Sequence, residues 1–251
     1  MGVLSGKTVL LTGAFGTLGR AQADTLSRAG GALLLLDRPE ATDGAAFAAE
    51  VAASTGAEAE YVGQDLGDLQ GAEAAAKRLA EARGGVDILI NNAALIINRP
   101  FQAFSLAEYE EQLRVNSSAA FALARAVAPG MKAKGYGKVI NFCSVTLNGR
   151  WEGYVPYVAS KGALLGLTKS LAREMGAFGV RVNAISPGAV VSEAEKRVFG
   201  DRLQQYNDWI LENQCLKVRI QPRDVAELVL FLVSPASDMI TGQNFAIDGG
   251  W

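Results

Sequence analysis

Apolar and polar positions along the chain follow two alternating rhythms. Short, mostly apolar runs recur at Thr8–Thr12, Ala32–Leu36, Ala59–Val62, Val86–Ile90, Lys138–Phe142, Val180–Ile185 and Gln243–Ile247. Between them lie longer Ala- and Leu-rich stretches of helical period, near 17–29, 42–55, 68–83, 105–133, 154–177 and 222–233. A run such as Leu33-Leu34-Leu35-Leu36 offers no polar face to solvent. It predicts a strand buried on both sides, as a helix-covered parallel sheet requires. Strict strand–helix alternation predicts an α/β fold: a doubly wound, seven-stranded, mainly parallel sheet with right-handed crossovers and helices on both faces. No linker, repeat or low-complexity tract interrupts the pattern, so residues 1–251 read as a single domain. Residues 192–221 stand apart, helical in period but more polar and long for a crossover. They read either as a lid over a substrate pocket or as an extra surface helix.

Composition narrows the class. With 49% apolar and 20% charged residues the chain is not disordered. Its 28 glycines follow no collagen period and are expected in tight turns near ligands. Histidine is absent, which excludes Ser-His-Asp and Cys-His catalysis and His-ligated zinc; no metal site is expected. Cys143 and Cys215 form no C-x-x-C pair and no disulfide framework, which suits a reducing cytoplasm. A net charge of −2 without a long basic run argues against a nucleic-acid partner. The apolar run Val9–Leu11 is broken at once by Thr12 and Gly13, too soon for a signal core. Gly6 stands where a myristoylation site needs Ser or Thr. No stretch approaches the ~20 apolar residues of a membrane span. The expectation is a cytoplasmic protein with no membrane partner.

The first strand runs into Thr12-Gly13-Ala14-Phe15-Gly16-Thr17-Leu18-Gly19 and then a helix. Such a turn faces free backbone N–H groups and the positive end of a helix toward a pyrophosphate. Asp37 ends the second strand, where a carboxylate accepts hydrogen bonds from an adenosine ribose. Strand, turn, helix and acid together read as a dinucleotide site. Farther on, Tyr157 and Lys161 lie four apart and share a helix face. Ser144 lies just beyond the strand ending at Phe142, on the carboxyl edge where ligands bind parallel sheets. A nearby ammonium favours a tyrosine phenolate, although a Tyr/Lys pair at this spacing is also ordinary helix-surface chemistry.

Thr12–Gly19, Asn91-Asn92-Ala93-Ala94, Asn116, Ser144, Tyr157-x-x-x-Lys161, Pro187-Gly188 and the tail Ile240-Thr241-Gly242-Gln243 with Asp248-Gly249-Gly250 resemble the short-chain dehydrogenase/reductase family, in order along essentially the whole chain. The resemblance implies a Rossmann-type fold of the short, single-domain branch and a Ser-Tyr-Lys mechanism without metal. Tyr157 would exchange the proton and Ser144 hold the substrate oxygen. Lys161 would bind ribose and lower the tyrosine pKa, while Asn116 holds a water linking Lys161 to solvent. It implies cofactor contacts at Gly13, Phe15, Gly16, Thr17, Leu18, Gly19, Asp37, Arg38, Asp65, Leu66, Asn91, Ala93, Tyr157, Lys161, Pro187, Gly188, Val190 and Ser192. It also implies a homotetramer or homodimer built through the helices carrying Asn116 and Tyr157.

Three positions depart from the family pattern. The middle glycine is Gly16 rather than residue 17, so a locally altered loop with its close approach at Gly16 is expected. Cys143 replaces a frequent serine and reads as a small buried filler. Ser192 replaces threonine and keeps the hydroxyl.

The cofactor expected is NAD, because Asp37 would repel the 2′-phosphate of NADP; an Arg38 that turned to bind that phosphate would reverse the choice. Substrate contacts are expected at Ser144, Asn148, Arg150, Trp151, Tyr157 and Trp209, with further residues from 94–99, 146–154 and 193–217. Tyr206 and the tryptophans suit a sugar, a polyol or a functionalised cyclic or aromatic alcohol. Arg150 either pairs with an anionic substituent or stays on the surface. The activity expected is hydride transfer between NAD and a small-molecule secondary alcohol or ketone. A β-ketoacyl carrier-protein reductase is the alternative and needs a basic patch, for which Lys132, Lys134 and Lys138 are the candidates. A cofactor-sensing protein with a dead site is a third reading, at odds with the intact Ser144, Tyr157 and Lys161.

Overall fold

A computed structural model describes residues 2–41 and 43–251. Seven strands form one sheet in the order β3-β2-β1-β4-β5-β6-β7. They are β1 (Thr8–Thr12), β2 (Ala32–Asp37), β3 (Ala59–Gly63), β4 (Ile88–Asn91), β5 (Gly137–Phe142), β6 (Val180–Pro187) and β7 (Asn244–Ile247). Every pairing is parallel, so the sheet is wholly rather than mainly parallel. Order reverses between β1 and β4, and the crevice at their carboxyl ends is where such sheets take ligands.

The apolar runs behave as their composition demands. Leu33, Leu34, Leu35 and Leu36 are all buried. Alternate side chains enter opposite layers: Leu33 and Leu35 pack with Leu26, Val229 and Leu232, while Leu34 and Leu36 pack with Ala76, Leu79 and Leu123. Truncating one such leucine to alanine costs about 2–5 kcal/mol through lost transfer energy and the cavity left behind.

The helices around the sheet are α1 (Thr17–Arg28), α2 (Gly44–Thr55), α3 (Leu69–Ala82), α4 (Leu106–Leu113), α5 (Ala119–Lys134), α6 (Val155–Met175), α7 (Glu193–Phe199), α8 (Leu203–Asn213) and α9 (Pro222–Val233). Thr42, expected to open the second helix, lies outside the described residues. The helix expected over 105–133 is two helices joined by a π-helical turn at Arg114–Ser118. Ser105 and Glu108 cap its start reciprocally. The fourth strand begins at Ile88 rather than Val86, because the Asp87 side chain turns aside to accept from Thr8 N at 2.9 Å and from Lys134 Nζ at 2.9 Å. Among the described residues no helix is long and apolar enough to cross a membrane.

Candidate active site

Helix α6 buries Tyr157, Ser160, Lys161, Leu164, Thr168, Ala172 and Met175, a stripe at the three- and four-residue spacing of one helix face. That stripe carries two titratable groups into the protein. Lys161, only 1% exposed, donates from Nζ to Phe142 O at 2.6 Å, at the carboxyl end of β5. Burial disfavours its charge and lowers it from the ordinary lysine range to about 8. Its Nζ stands 5.4 Å from the Tyr157 ring centroid. Burial raises the Tyr157 phenol above its ordinary value, opposed by a hydrogen bond with Ser144. Desolvation thus works against the lowering of that phenol expected from a neighbouring lysine.

Ser144 leaves β5 in extended conformation and caps the short turn Val145–Asn148. Its Oγ accepts from Thr146 N at 3.2 Å and from Thr146 Oγ1 at 2.9 Å. With its lone pairs so occupied, the Ser144 proton is directed outward to Tyr157 or a substrate oxygen. Thr146 thus orients the serine, a role the sequence pattern does not single out. Cys143 is buried, and desolvation pushes its thiol up to about 11, consistent with an inert filler.

Asn116 sits in the π-helical turn, and its side chain is fully engaged. Oδ1 accepts from Leu95 N at 2.7 Å, and Nδ2 donates to Leu95 O at 3.0 Å and Ser160 Oγ at 2.9 Å. Ser160 Oγ in turn donates to Tyr157 O at 2.6 Å. The amide therefore ties the loop after β4 to α6 rather than presenting itself to a water.

At the glycine turn, Gly13 has φ +65°, and a Cβ there would lie 2.8 Å from Ala93 Cα. A Cβ on Gly19 would lie 2.1 Å from Gly13 O. Gly16, by contrast, has φ −66° and would meet nothing closer than Gly13 O at 3.5 Å. Packing within the protein thus demands glycine at Gly13 and Gly19, whereas the approach expected at Gly16 is toward a ligand. Asn92 Nδ2 binds Thr12 O and Gly13 O at 3.0 and 3.1 Å, and its Oδ1 accepts from Gln22 at 2.9 Å. This residue staples the turn to the end of β4.

Asp37 uses Oδ2 to accept from Phe15 N at 2.9 Å and Oδ1 to accept from Arg38 N at 2.8 Å. Phe15 packs on Phe47 and Tyr61 at 5.5 and 5.2 Å. Arg38 is exposed. Asp65 accepts from Gly67 N at 2.8 Å, while the Leu66 side chain joins the core. Asn91 donates to Asn141 Oδ1 at 2.8 Å, but its own Oδ1 is buried without a partner. These features fit a dinucleotide. The first-turn N–H groups of α1 have no intrahelical acceptor and no acidic neighbour there, and the Asn91 acceptor awaits a donor.

Ser144 and Tyr157 line one cavity of about 140 Å³, shared with Trp151, Glu195 and Tyr206 and with Gly188, Val190 and Ser192 from the loop after β6. Its far wall comes from residues 192–221, which form α7 and α8 rather than one helix. That segment is anchored by a bridge between Val190 and Ile220 and by Thr17 Oγ1 accepting from Glu193 N at 3.2 Å. Asn148, Arg150 and Trp209 are not brought to the cavity: the first two are exposed, and Trp209 packs behind Trp151 at 5.3 Å. Glu195, unremarkable in sequence among other acids, is brought there by the α7 cap on Ser192.

Comparison with known proteins agrees with this geometry. A family model described as enoyl-(acyl carrier protein) reductase matches residues 13–251. D-xylose 1-dehydrogenase of Caulobacter vibrioides is 35% identical over 248 residues, 99% of this chain and 96% of that protein. A Beutenbergia cavernae structure assigned as an NAD(P)-dependent gluconate 5-dehydrogenase, with bound NADP, is 37% identical with TM-score 0.92, covering 99% of this chain and 97% of the other. The L-sorbose reductase of Gluconobacter frateurii, complexed with NADPH and L-sorbose, is 26% identical with TM-score 0.92, covering 100% and 97%.

Proposed function

Since the chain belongs to the short-chain dehydrogenase/reductase family, we propose that it interconverts a secondary alcohol of a sugar or polyol and the corresponding ketone or lactone, with NAD as preferred cofactor. The observation that carries this reading is one cavity lined by both Ser144 and Tyr157, with Lys161 immediately behind. When bound, a nicotinamide supplies or accepts the hydride. Tyr157 gives its phenolic proton to the carbonyl oxygen in reduction and takes the carbinol proton in oxidation. Ser144, oriented by Thr146, donates to the same oxygen. Lys161 sits where its charge stabilises the Tyr157 phenolate that oxidation requires. Asn116 holds the catalytic helix through Ser160, so a water leading to solvent would rest on its main chain.

Cofactor atoms would meet the turn Gly13–Gly19, Asp37, Asp65, the backbone at Leu66 and Ala93, Asn91, and the segment from Pro187 to Ser192. The preference for NAD rests on Asp37, although the two structural relatives carry NADP or NADPH. Residues 192–221 act as the lid of a single domain, their attachment to Thr17 coupling the lid to the phosphate-binding turn. Exposed Leu106, Phe121 and Val155 on α4, α5 and α6 favour self-association through those helices, and two unpaired cysteines favour a cytoplasmic setting.

The carrier-protein alternative, which the description of the matching family model favours, lacks its basic patch. Lys138 is fully buried, with Nζ 2.8 Å from Asp238, and Lys134 pairs with Asp87. A cavity near 140 Å³ also suits one small ring, since ~150 Å³ holds a benzene. The test follows absorbance of the reduced cofactor with a panel of sugars, alditols, ketoses and β-ketoacyl thioesters. Turnover of sugars or polyols that is lost in Tyr157→Phe supports the reading. Turnover of acyl thioesters alone, or a Tyr157→Phe variant as active as wild type, refutes it.

A further inference from the structure

The relatives differ in a chemical respect that matters at the cavity wall. Gluconate carries a carboxylate, whereas xylose and sorbose carry no charge. Resting on the sugar and polyol reading above, we infer that Glu195 determines specificity and selects neutral polyhydroxylated substrates over aldonates.

Among the described residues that line the cavity, Glu195 is the one carboxylic acid and no Lys or Arg accompanies it; burial raises its pKa, opposed by the Arg219 guanidinium beside it. Its side chain is 8% exposed, so the charge faces the cavity rather than bulk water. Oε1 accepts from Arg219 Nη2 at 2.6 Å, and the Tyr206 hydroxyl also hydrogen-bonds the carboxylate. Arg219 lies outside the lining, turned toward Ala189 O at 3.2 Å and Asn207. It holds the carboxylate in place from behind and presents no cation to the ligand. Lys161 is likewise withdrawn onto Phe142 O.

A carboxylate has about four acceptor positions and no donor. With Arg219 and Tyr206 occupying part of that capacity, the remainder suits ligand hydroxyls. An aldonate would set its own carboxylate in the same small space as Glu195, where two like charges repel and neither can donate to the other. Glu195 enters on the lid helix α7, three residues after the Ser192 cap that fixes its backbone. The group that would read the substrate is therefore delivered by the segment that covers it.

The Glu195–Arg219 pair also ties the start of the 192–221 segment to its end beside Ile220, so a purely structural role must be separated from selection. A structural loss changes all substrates alike. A loss of charge selection changes the ratio between charged and neutral ones. The experiment measures kcat and KM for D-xylose, D-glucitol, L-sorbose and D-gluconate in wild type, Glu195→Gln and Glu195→Asp, with melting temperature as a check on folding. Wild type should favour the best neutral substrate over gluconate by at least about tenfold in kcat/KM. Glu195→Gln should lower that ratio by at least about tenfold, mainly through a lower KM or Ki for gluconate, because Arg219 is left without its carboxylate. Glu195→Asp should retain the neutral preference. An unmoved ratio in a folded Gln variant, with neutral sugars still turned over, overturns the role of Glu195 and leaves the parent reading intact. If the Gln variant does not fold, wild type decides: gluconate binding as tightly as the neutral substrate overturns the inference. If no sugar, alditol or aldonate turns over while another alcohol does, the parent reading falls and this one falls with it.

Discussion

Replacing Asp37 by serine should remove most of the preference for NAD over NADP. In the structure the carboxylate is pinned at both oxygens, by Phe15 N at 2.9 Å and Arg38 N at 2.8 Å. It cannot swing away from an incoming 2′-phosphate without breaking hydrogen bonds worth about 1.5–3 kcal/mol each to a charged acceptor. If it stays, one like-charge pair at ~4 Å and an effective dielectric near 20 costs roughly 4 kcal/mol. Relaxation and salt reduce that to about 2 kcal/mol, on the order of 30-fold. The neighbouring cations act unequally. Arg20 is committed to Asp43 at 2.7 Å and Phe15 O at 3.1 Å. Arg38 is exposed, and among the described residues its guanidinium forms no ion pair, so it is the one free to offset the repulsion. The assay compares kcat/KM for both cofactors in wild type, Asp37→Ser and Arg38→Ser. Wild type should prefer NAD by at least ~10-fold, and Asp37→Ser should lose most of that margin. A wild-type preference for NADP that disappears in Arg38→Ser would refute the reasoning and assign the choice to Arg38.

Three further outcomes follow from the same site. Tyr157→Phe keeps the ring packing but not the exchangeable proton, so turnover should fall at least ~10²-fold with cofactor affinity nearly unchanged, as stopped-flow binding beside steady-state rates would show. Gly13→Ala should destabilise the fold by about 1–3 kcal/mol, because φ is +65° and Ala93 Cα stands 2.8 Å from the new Cβ, whereas Gly16→Ala should leave the melting temperature nearly unchanged; equal effects at the two positions would contradict the turn geometry. Lys161, lowered to about 8 by burial, is less easily protonated folded than unfolded, so its contribution to stability is least below pH 8 and recovers as pH rises toward 10.5. Denaturant unfolding of cofactor-free wild type and Lys161→Met across that window should show the difference move in favour of wild type by on the order of 3 kcal/mol; a flat difference would mean that the amine is not desolvated.

Much of this was legible in the sequence because the determining interactions are local or periodic. Leu33–Leu36 has no face to expose, so burial on both sides follows from composition alone. Tyr157 and Lys161 share a face because four residues make about one helical turn. Strand ends drifted where a side chain intervened, as when Asp87 turned to Thr8 N and postponed β4. The break in the helix at Arg114–Ser118 left no trace in the hydrophobic period. It coincides with the demand of Asn116 for partners on the loop of Leu95 and on α6, which are distant in sequence.

The substrate wall was the least legible part, for a physical reason. Arg150 and Trp209 are conspicuous in sequence because guanidinium and indole groups so often bind ligands, yet both are exposed outside the cavity, Trp209 packing against Trp151. Lys138 looked like part of a surface patch and is instead buried against Ser234, Ser237 and Asp238. In each case residue type points to a chemistry, and the tertiary fold decides whether that chemistry faces a ligand. Glu195 shows the converse. One acid among several on a polar helix gains its place from the Ser192 cap, Arg219 and Tyr206, the last two 24 and 11 positions along the chain. The candidate catalytic groups on α6 and just beyond β5 are fixed by regular elements, so their spacing survives in the sequence. Residues 192–221 are helical in period too, but which of their side chains meet the cavity depends on pairings that only the folded chain makes.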